Sequence, residues 1–78
     1  MTENEISKIL VEEAIYVHST IGPGLLESVY VKCLAYRLTK RGLLIRTEQP
    51  IPLLFEEVRL DCGYRADIVI EGKVVVEV

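Results

Sequence analysis

Cysteine is scarce in this chain: Cys33 and Cys62 are the only two, 29 positions apart by number (62 − 33). That is too few for a disulfide framework and the wrong spacing for a zinc pattern, so both read as free thiols of a reducing compartment. Long apolar runs are missing as well, which excludes a membrane span of about 20 residues. The first ten residues carry Glu3 and Glu5 and have no continuous apolar core, so no signal peptide is expected and the setting is cytoplasmic. There is no excess of positive charge either. The net charge is -3, which gives no overall attraction for nucleic acid. Repeats, linkers and low-complexity segments do not occur.

What is present is a chain of 78 residues, half of them hydrophobic, enough for one small folded domain over residues 1–78. A domain this short buries only roughly 60% of its unfolded surface, so modest stability is expected. Its charge is unevenly spread. From Ser28 to Thr47 there are five basic residues (Lys32, Arg37, Lys40, Arg41, Arg46) and no acidic one. Such a stripe reads either as a solvated helix face or as a weak nucleic-acid footprint.

Thr2 and Glu5 have the spacing of a capping box. Ile6, Ile9, Leu10, Ala14 and Val17 then recur with helical period, and Val11 and Ile15 widen the stripe. Gly22-Pro23-Gly24 ends that helix, and a second one runs from about Leu25 to Arg41. Its apolar stripe is Leu26, Tyr30, Cys33, Leu34 and Leu38, with Gly42 as the stop. His18 reads as a dipole partner or packed side chain, or else as a ligand or base. Glu27 also supports two readings. In the first turn it complements the helix dipole. Its spacing to Tyr30, Val31 and Leu34 also puts it on the flank that faces protein, where a carboxylate can serve a site.

Beyond Gly42 the period becomes strand-like. Segments at Leu43–Glu48 and Ile51–Phe55 are interrupted by Pro50 and Pro52, which suit an edge or a bulge. Val58 to Tyr64 reads as a strand bent at Gly63, running on into Arg65–Ile70. The order is helix, helix and an antiparallel meander of about three strands, an α+β arrangement. In the last hairpin, Ala66, Ile68 and Ile70 form one apolar row and Val74, Val76 and Val78 another. Side chains alternate faces, so only an odd-numbered loop brings both rows to the core. A loop of Ile70-Glu71-Gly72, with Gly72 left-handed, does so. It sets Asp67 and Glu77 on the opposite face, one diagonal apart, together with Arg65. A two-residue turn would instead put Asp67 opposite Val76.

Three runs stand together: Gly24-Leu25-Leu26-Glu27-Ser28-Val29-Tyr30 opening a helix, Gly63-Tyr64-Arg65-Ala66-Asp67 in a strand, and Val76-Glu77-Val78 in its partner. The chain resembles the small GxxExxR proteins, placed in the PD-(D/E)XK nuclease-like superfamily. The likeness covers nearly the whole length. It implies the superfamily's αβββαβ core, here truncated and preceded by an extra helix. The site positions it implies are Glu27, Asp67 and Glu77, with Asp67 and Glu77 holding Mg²⁺ (or Mn²⁺) and nucleic acid as the substrate. Two departures stand out. Tyr30 occupies the place where the family name implies arginine. The sequence also ends at Val78, one residue before the lysine that the resemblance implies. Cleavage by the chain as given is therefore expected to be impaired.

The chemistry follows from the residue types. Mg²⁺ is a hard cation that takes one or two carboxylates together with waters and phosphate oxygens. Asp67 and Glu77 offer those oxygens, Glu27 can bond a metal-bound water, and Arg65 can either contact a phosphate or pair with Asp67. Lys73 belongs to the turn end of the hairpin and does not replace the lysine. The alternative from another class is a non-catalytic binding or assembly module on the same scaffold, with a homodimer through the C-terminal strand covering its exposed edge.

Overall fold

The computed structural model describes residues 1–60 and 64–78. Helix α1 spans Glu3–Ile21 and α2 spans Glu27–Lys40, followed by β1 (Ile45–Pro50), β2 (Leu53–Phe55), β3 (Val58–Leu60), β4 (Arg65–Ile70) and β5 (Val74–Val76). Strands β1, β4 and β5 form an antiparallel sheet with β4 in the middle, while β2 and β3 pair with each other in a second, two-stranded sheet. The expected α+β order of two helices followed by antiparallel strands is therefore the observed one. The β2–β3 hairpin is an excursion between β1 and β4. The expected bend at Gly63 and the thiol of Cys62 lie outside the described residues.

The helix ends follow local chemistry. The Thr2 N–H donates to Glu5 Oε1 at 2.8 Å and the Glu5 N–H to Thr2 Oγ1 at 3.2 Å, which closes the capping box. At the far end of α2, Gly42 takes φ 88°. The Leu43 N–H reaches the Leu38 carbonyl and the Gly42 N–H the Thr39 carbonyl, a Schellman stop. Leu38 and Leu43 are both buried in the core, supplying the apolar contact this motif favours.

The core lies between the helices and one face of the sheet. Ile6 and Val17 from α1, Leu34 and Leu38 from α2, Leu43, and Ile68 and Ile70 from β4 form one cluster, with Val74 and Val76 packed against it. Ala66, Ile68 and Ile70 are fully buried, whereas Asp67 and Val69 are half-buried between them. The expected widening of the α1 stripe does not occur: Val11 and Ile15 are more than half exposed. Val11 lines an open cleft with Val76 and Val78 instead of packing into the core. The buried residue on the inner face is instead Glu13, at 3% exposure. Arg37 Nε donates to its Oε1 and Arg41 Nη1 to its Oε2, each at 2.7 Å, fastening α1 to the second half of α2.

The last hairpin has the odd-numbered loop that the apolar rows demand, but shifted by one residue. Ile70 pairs with Val74 and Ile68 with Val76, so the loop is Glu71-Gly72-Lys73. Ile70 stays in the strand because it is fully buried and pairs with Ile45 on its other side. Glu71 turns the chain instead, at φ 54°, followed by Gly72 at φ 65°. Two bonds anchor it: the Glu71 N–H donates to the Leu44 carbonyl, and Glu71 Oε2 accepts from the Leu44 N–H. Continued by one residue, this register sets Glu77 directly opposite Asp67 rather than one diagonal away.

Two predictions follow from these contacts. A Cβ added at Gly72 would meet nothing within 4 Å, so Gly72→Ala tests the backbone conformation alone. It should destabilise the fold by about 1 kcal/mol in a denaturant titration. The Glu13 carboxyl is held below the ordinary carboxylate range, first by its bond to Arg37 and then by that to Arg41. Its contribution is full above that range and disappears as pH falls through the depressed folded value. Glu13→Gln should therefore lower stability at neutral pH and flatten the acid limb of the stability–pH curve.

Candidate functional site

Glu27 opens α2, directly after Leu26, an N-cap whose side chain makes no capping bond. First-turn N–H groups are unpaired in any α-helix, so a carboxylate is electrostatically favoured here. The Glu27 side chain is exposed, on the flank of α2 that faces β1 and β4 across an open cleft. No hydrogen bond or ion pair holds its carboxylate among the described residues. The start of α2 is positioned from the other side: the Tyr30 hydroxyl donates to the Gly22 carbonyl, and the Tyr30 ring stacks on His18 with centroids 6.2 Å apart. Tyr30 thus ties the second turn of α2 to the loop leaving α1.

Asp67 sits midway along β4, between the fully buried Ala66 and Ile68. Both neighbouring ladders lapse beside it. On one side β1 pairs at Thr47↔Ile68 and Gln49↔Ala66 but not at Glu48, which takes φ 50°. On the other, β5 ends at Val76. There the Val78 N–H donates to Asp67 Oδ2 at 2.8 Å, fixing one carboxylate oxygen and leaving Oδ1 free of that bond.

Glu27 and Asp67 line one cleft of about 490 Å³, together with Ser28, Lys32, Thr47 and Glu48. Glu77 does not line it, and neither does Arg65. Glu77 is exposed opposite Asp67, near the Tyr64 hydroxyl. Its carboxylate, as a hydrogen-bond acceptor and as a charge, pushes the Tyr64 hydroxyl pKa up. Arg65 is exposed where β4 begins, with Pro50 as its ladder partner, and makes no ion pair with Asp67 among the described residues. Lys73 lies far off, donating to the Met1 carbonyl.

Two cleft residues escaped the sequence reading. Lys32 was absorbed into the basic stripe, where helical period alone cannot tell a cleft wall from a solvated face. Glu48 looks like an ordinary strand carboxylate, and nothing in its neighbours announces a left-handed backbone. Among the described residues no group of three or more His, Cys, Asp and Glu is gathered to hold a metal ion. Mg²⁺ does not require one, since it is bound through one or two carboxylates with water completing the shell. Glu27 and Asp67 bring two hard oxygen donors to one cleft.

The proximity of Glu77 to Tyr64 predicts that one tyrosine titrates above the ordinary phenol range in an ultraviolet titration. Tyr64→Phe should remove that step, and Glu77→Gln should move it down. An unchanged profile in Glu77→Gln would show that the two groups do not interact in solution.

Neither a curated protein nor a solved structure matches the chain. No helix among the described residues is long and apolar enough to cross a membrane. The family model of the PD-(D/E)XK nuclease superfamily matches residues 4–78, nearly the full length, and the chain belongs to that superfamily.

Proposed function

We propose that this domain is a Mg²⁺- or Mn²⁺-dependent hydrolase of nucleic-acid phosphodiesters, working in a reducing, cytoplasmic setting. The observation that carries this reading is the cleft that Glu27 and Asp67 share with Lys32. In a chain of this superfamily, a carboxylate pair facing one open cleft beside an ammonium group has the chemistry of a phosphodiester site. A bound divalent cation would supply Lewis-acid polarisation of the phosphate and a bound water of lowered pKa.

The chain's own residues have separable tasks. Asp67 offers its free oxygen to the cation, while the Val78 N–H holds the other and keeps the carboxylate from rotating. Glu27, unbonded at the positive end of α2, accepts a hydrogen bond from water in the cleft. Lys32 neutralises a phosphate oxygen as a point charge. Glu77, opposite Asp67 and near Tyr64, supplies a second carboxylate to the same strand pair. Arg65, free of Asp67, remains available to a phosphate further along the strand.

A second reading is an assembly module that pairs through its C-terminal strand. It is favoured by the position of β5 at the sheet edge, with β4 as its only partner among the described residues, and by the half-exposed Val75 and Val78. Sedimentation equilibrium separates the readings: a nuclease domain does not require a dimer that Val75→Lys dissolves.

The direct test is Mn²⁺ binding by calorimetry together with cleavage of labelled DNA and RNA. Asp67→Asn should abolish calorimetric binding and lower cleavage at least about 100-fold, the size typical of losing a metal-site group. Glu27→Gln should retain Mn²⁺ affinity better than it retains cleavage. Wild-type protein that takes up no Mn²⁺ would overturn the proposal.

A further inference from the structure

The helices enclose a second cleft, of about 370 Å³, on the other side of Lys32. Its wall includes Tyr16 and Thr20 from α1 and Lys32, Cys33, Tyr36 and Arg37 from α2. It is largely apolar and has no acidic side chain in its wall. Tyr36 is 65% exposed and Tyr16 49%, an unusual outlay of aromatic surface for a chain with five Phe and Tyr residues. Tyr16 is held in place: the Arg37 guanidinium lies 4.2 Å from its ring centroid while Arg37 Nε is bonded to Glu13. One ring is therefore fixed and the other stands free at the rim.

The two clefts adjoin at Lys32, along a single helical ridge. Ser28, Lys32 and Tyr36 are four residues apart and share one face of α2. Ser28 lines the carboxylate cleft, Tyr36 lines the aromatic cleft, and Lys32 lines both. The ridge covers about 12 Å at the helical rise. Lys32 has no anionic partner among the described residues, so its charge faces both openings. A ligand that satisfies this surface must be anionic at Lys32 and planar and apolar beside it.

We infer that the Tyr16–Tyr36 cleft is a nucleobase subsite, which takes an unpaired base of a single-stranded DNA or RNA whose phosphate is held at Lys32. The inference rests on the nucleic-acid reading above and narrows its substrate to strands with at least one unstacked base. A base paired inside a duplex has both faces covered and cannot stack in the cleft. Stacking on an aromatic ring is indifferent to base identity, so little sequence preference accompanies it.

The test is fluorescence anisotropy in EDTA, which makes binding independent of the metal site. The probes are a single-stranded DNA oligomer, its RNA counterpart, an abasic DNA oligomer of equal length and a blunt duplex. Tyr36→Ala should weaken binding of the single strands about five- to tenfold, and Tyr36→Phe should retain it. The abasic oligomer should bind wild type and Tyr36→Ala equally, and Lys32→Gln should weaken every probe. Preference for the DNA or the RNA strand identifies the sugar accepted, and either supports the subsite. This binding is read without metal, so base-dependent binding without Mn²⁺-dependent cleavage would refute the metal site and not the subsite. Equal binding of abasic and base-bearing strands by wild type, or no loss in Tyr36→Ala, would overturn the inference. So would a change in sedimentation of the free protein caused by Tyr36→Ala, which would mean that a second copy occupies the cleft.

Discussion

The register of β4 is the constraint on which the rest of the domain depends. Among the described residues it is the only strand paired on both sides, and alternate residues along it are fully buried against the helices. A slip by one residue would send Ala66, Ile68 and Ile70 to the outer face and place Asp67 and Val69 in the core. Burying Asp67 there without a partner would cost several kcal/mol, comparable with the whole stability of so small a domain. The apolar row thus fixes the fold and the polar residue within it at once. Asp67 is where it is because Ala66 and Ile68 are where they are.

The helices are fixed against each other by polar contacts at both ends of their interface. Glu13 with Arg37 and Arg41 clamps one end, and Tyr30 with Gly22 and His18 closes the other. These contacts are what place the first turns of α2 over the β1 side of the sheet. Glu27, Ser28 and Lys32 reach the Asp67 cleft because α2 has little freedom to slide or roll. The clamp also shapes the aromatic cleft, since the guanidinium that bonds Glu13 is the one that covers Tyr16.

The features legible in the sequence are those decided by near neighbours. The capping box at Thr2 and the stop at Gly42 involve residues within one turn of each other. The odd-numbered hairpin loop follows from two alternating rows, as does the placing of Asp67 and Glu77 on one face. The loop's own members were not legible, because Glu71 is turned by bonds to Leu44, 27 residues away. The burial of Glu13 was hidden for the same reason, its partners lying 24 and 28 residues along the chain. Of the candidate site, the association of Glu27 with Asp67 came from family resemblance and not from spacing. Period alone put Glu27 on a protein-facing flank, and there it stands, exposed on an open cleft shared with β1 and β4.

Glu48 brings the strand chemistry and the cleft together. A non-glycine residue at positive φ within a strand stores strain of order 1–3 kcal/mol, and it persists only where its surroundings over-determine it. Here the surroundings are the pairs on either side, Thr47↔Ile68 and Gln49↔Ala66, which hold the strand in register across the break. The break falls opposite Asp67 and nowhere else in that ladder. A regular pair at this position would join the two backbones and bring the Glu48 and Asp67 carboxylates side by side on one face, with unrelieved repulsion. The left-handed turn of Glu48 removes that pairing while both residues still line the cleft. The strain in β1 is therefore a structural consequence of keeping an acidic residue in the middle of β4 beside a second acid on its neighbour.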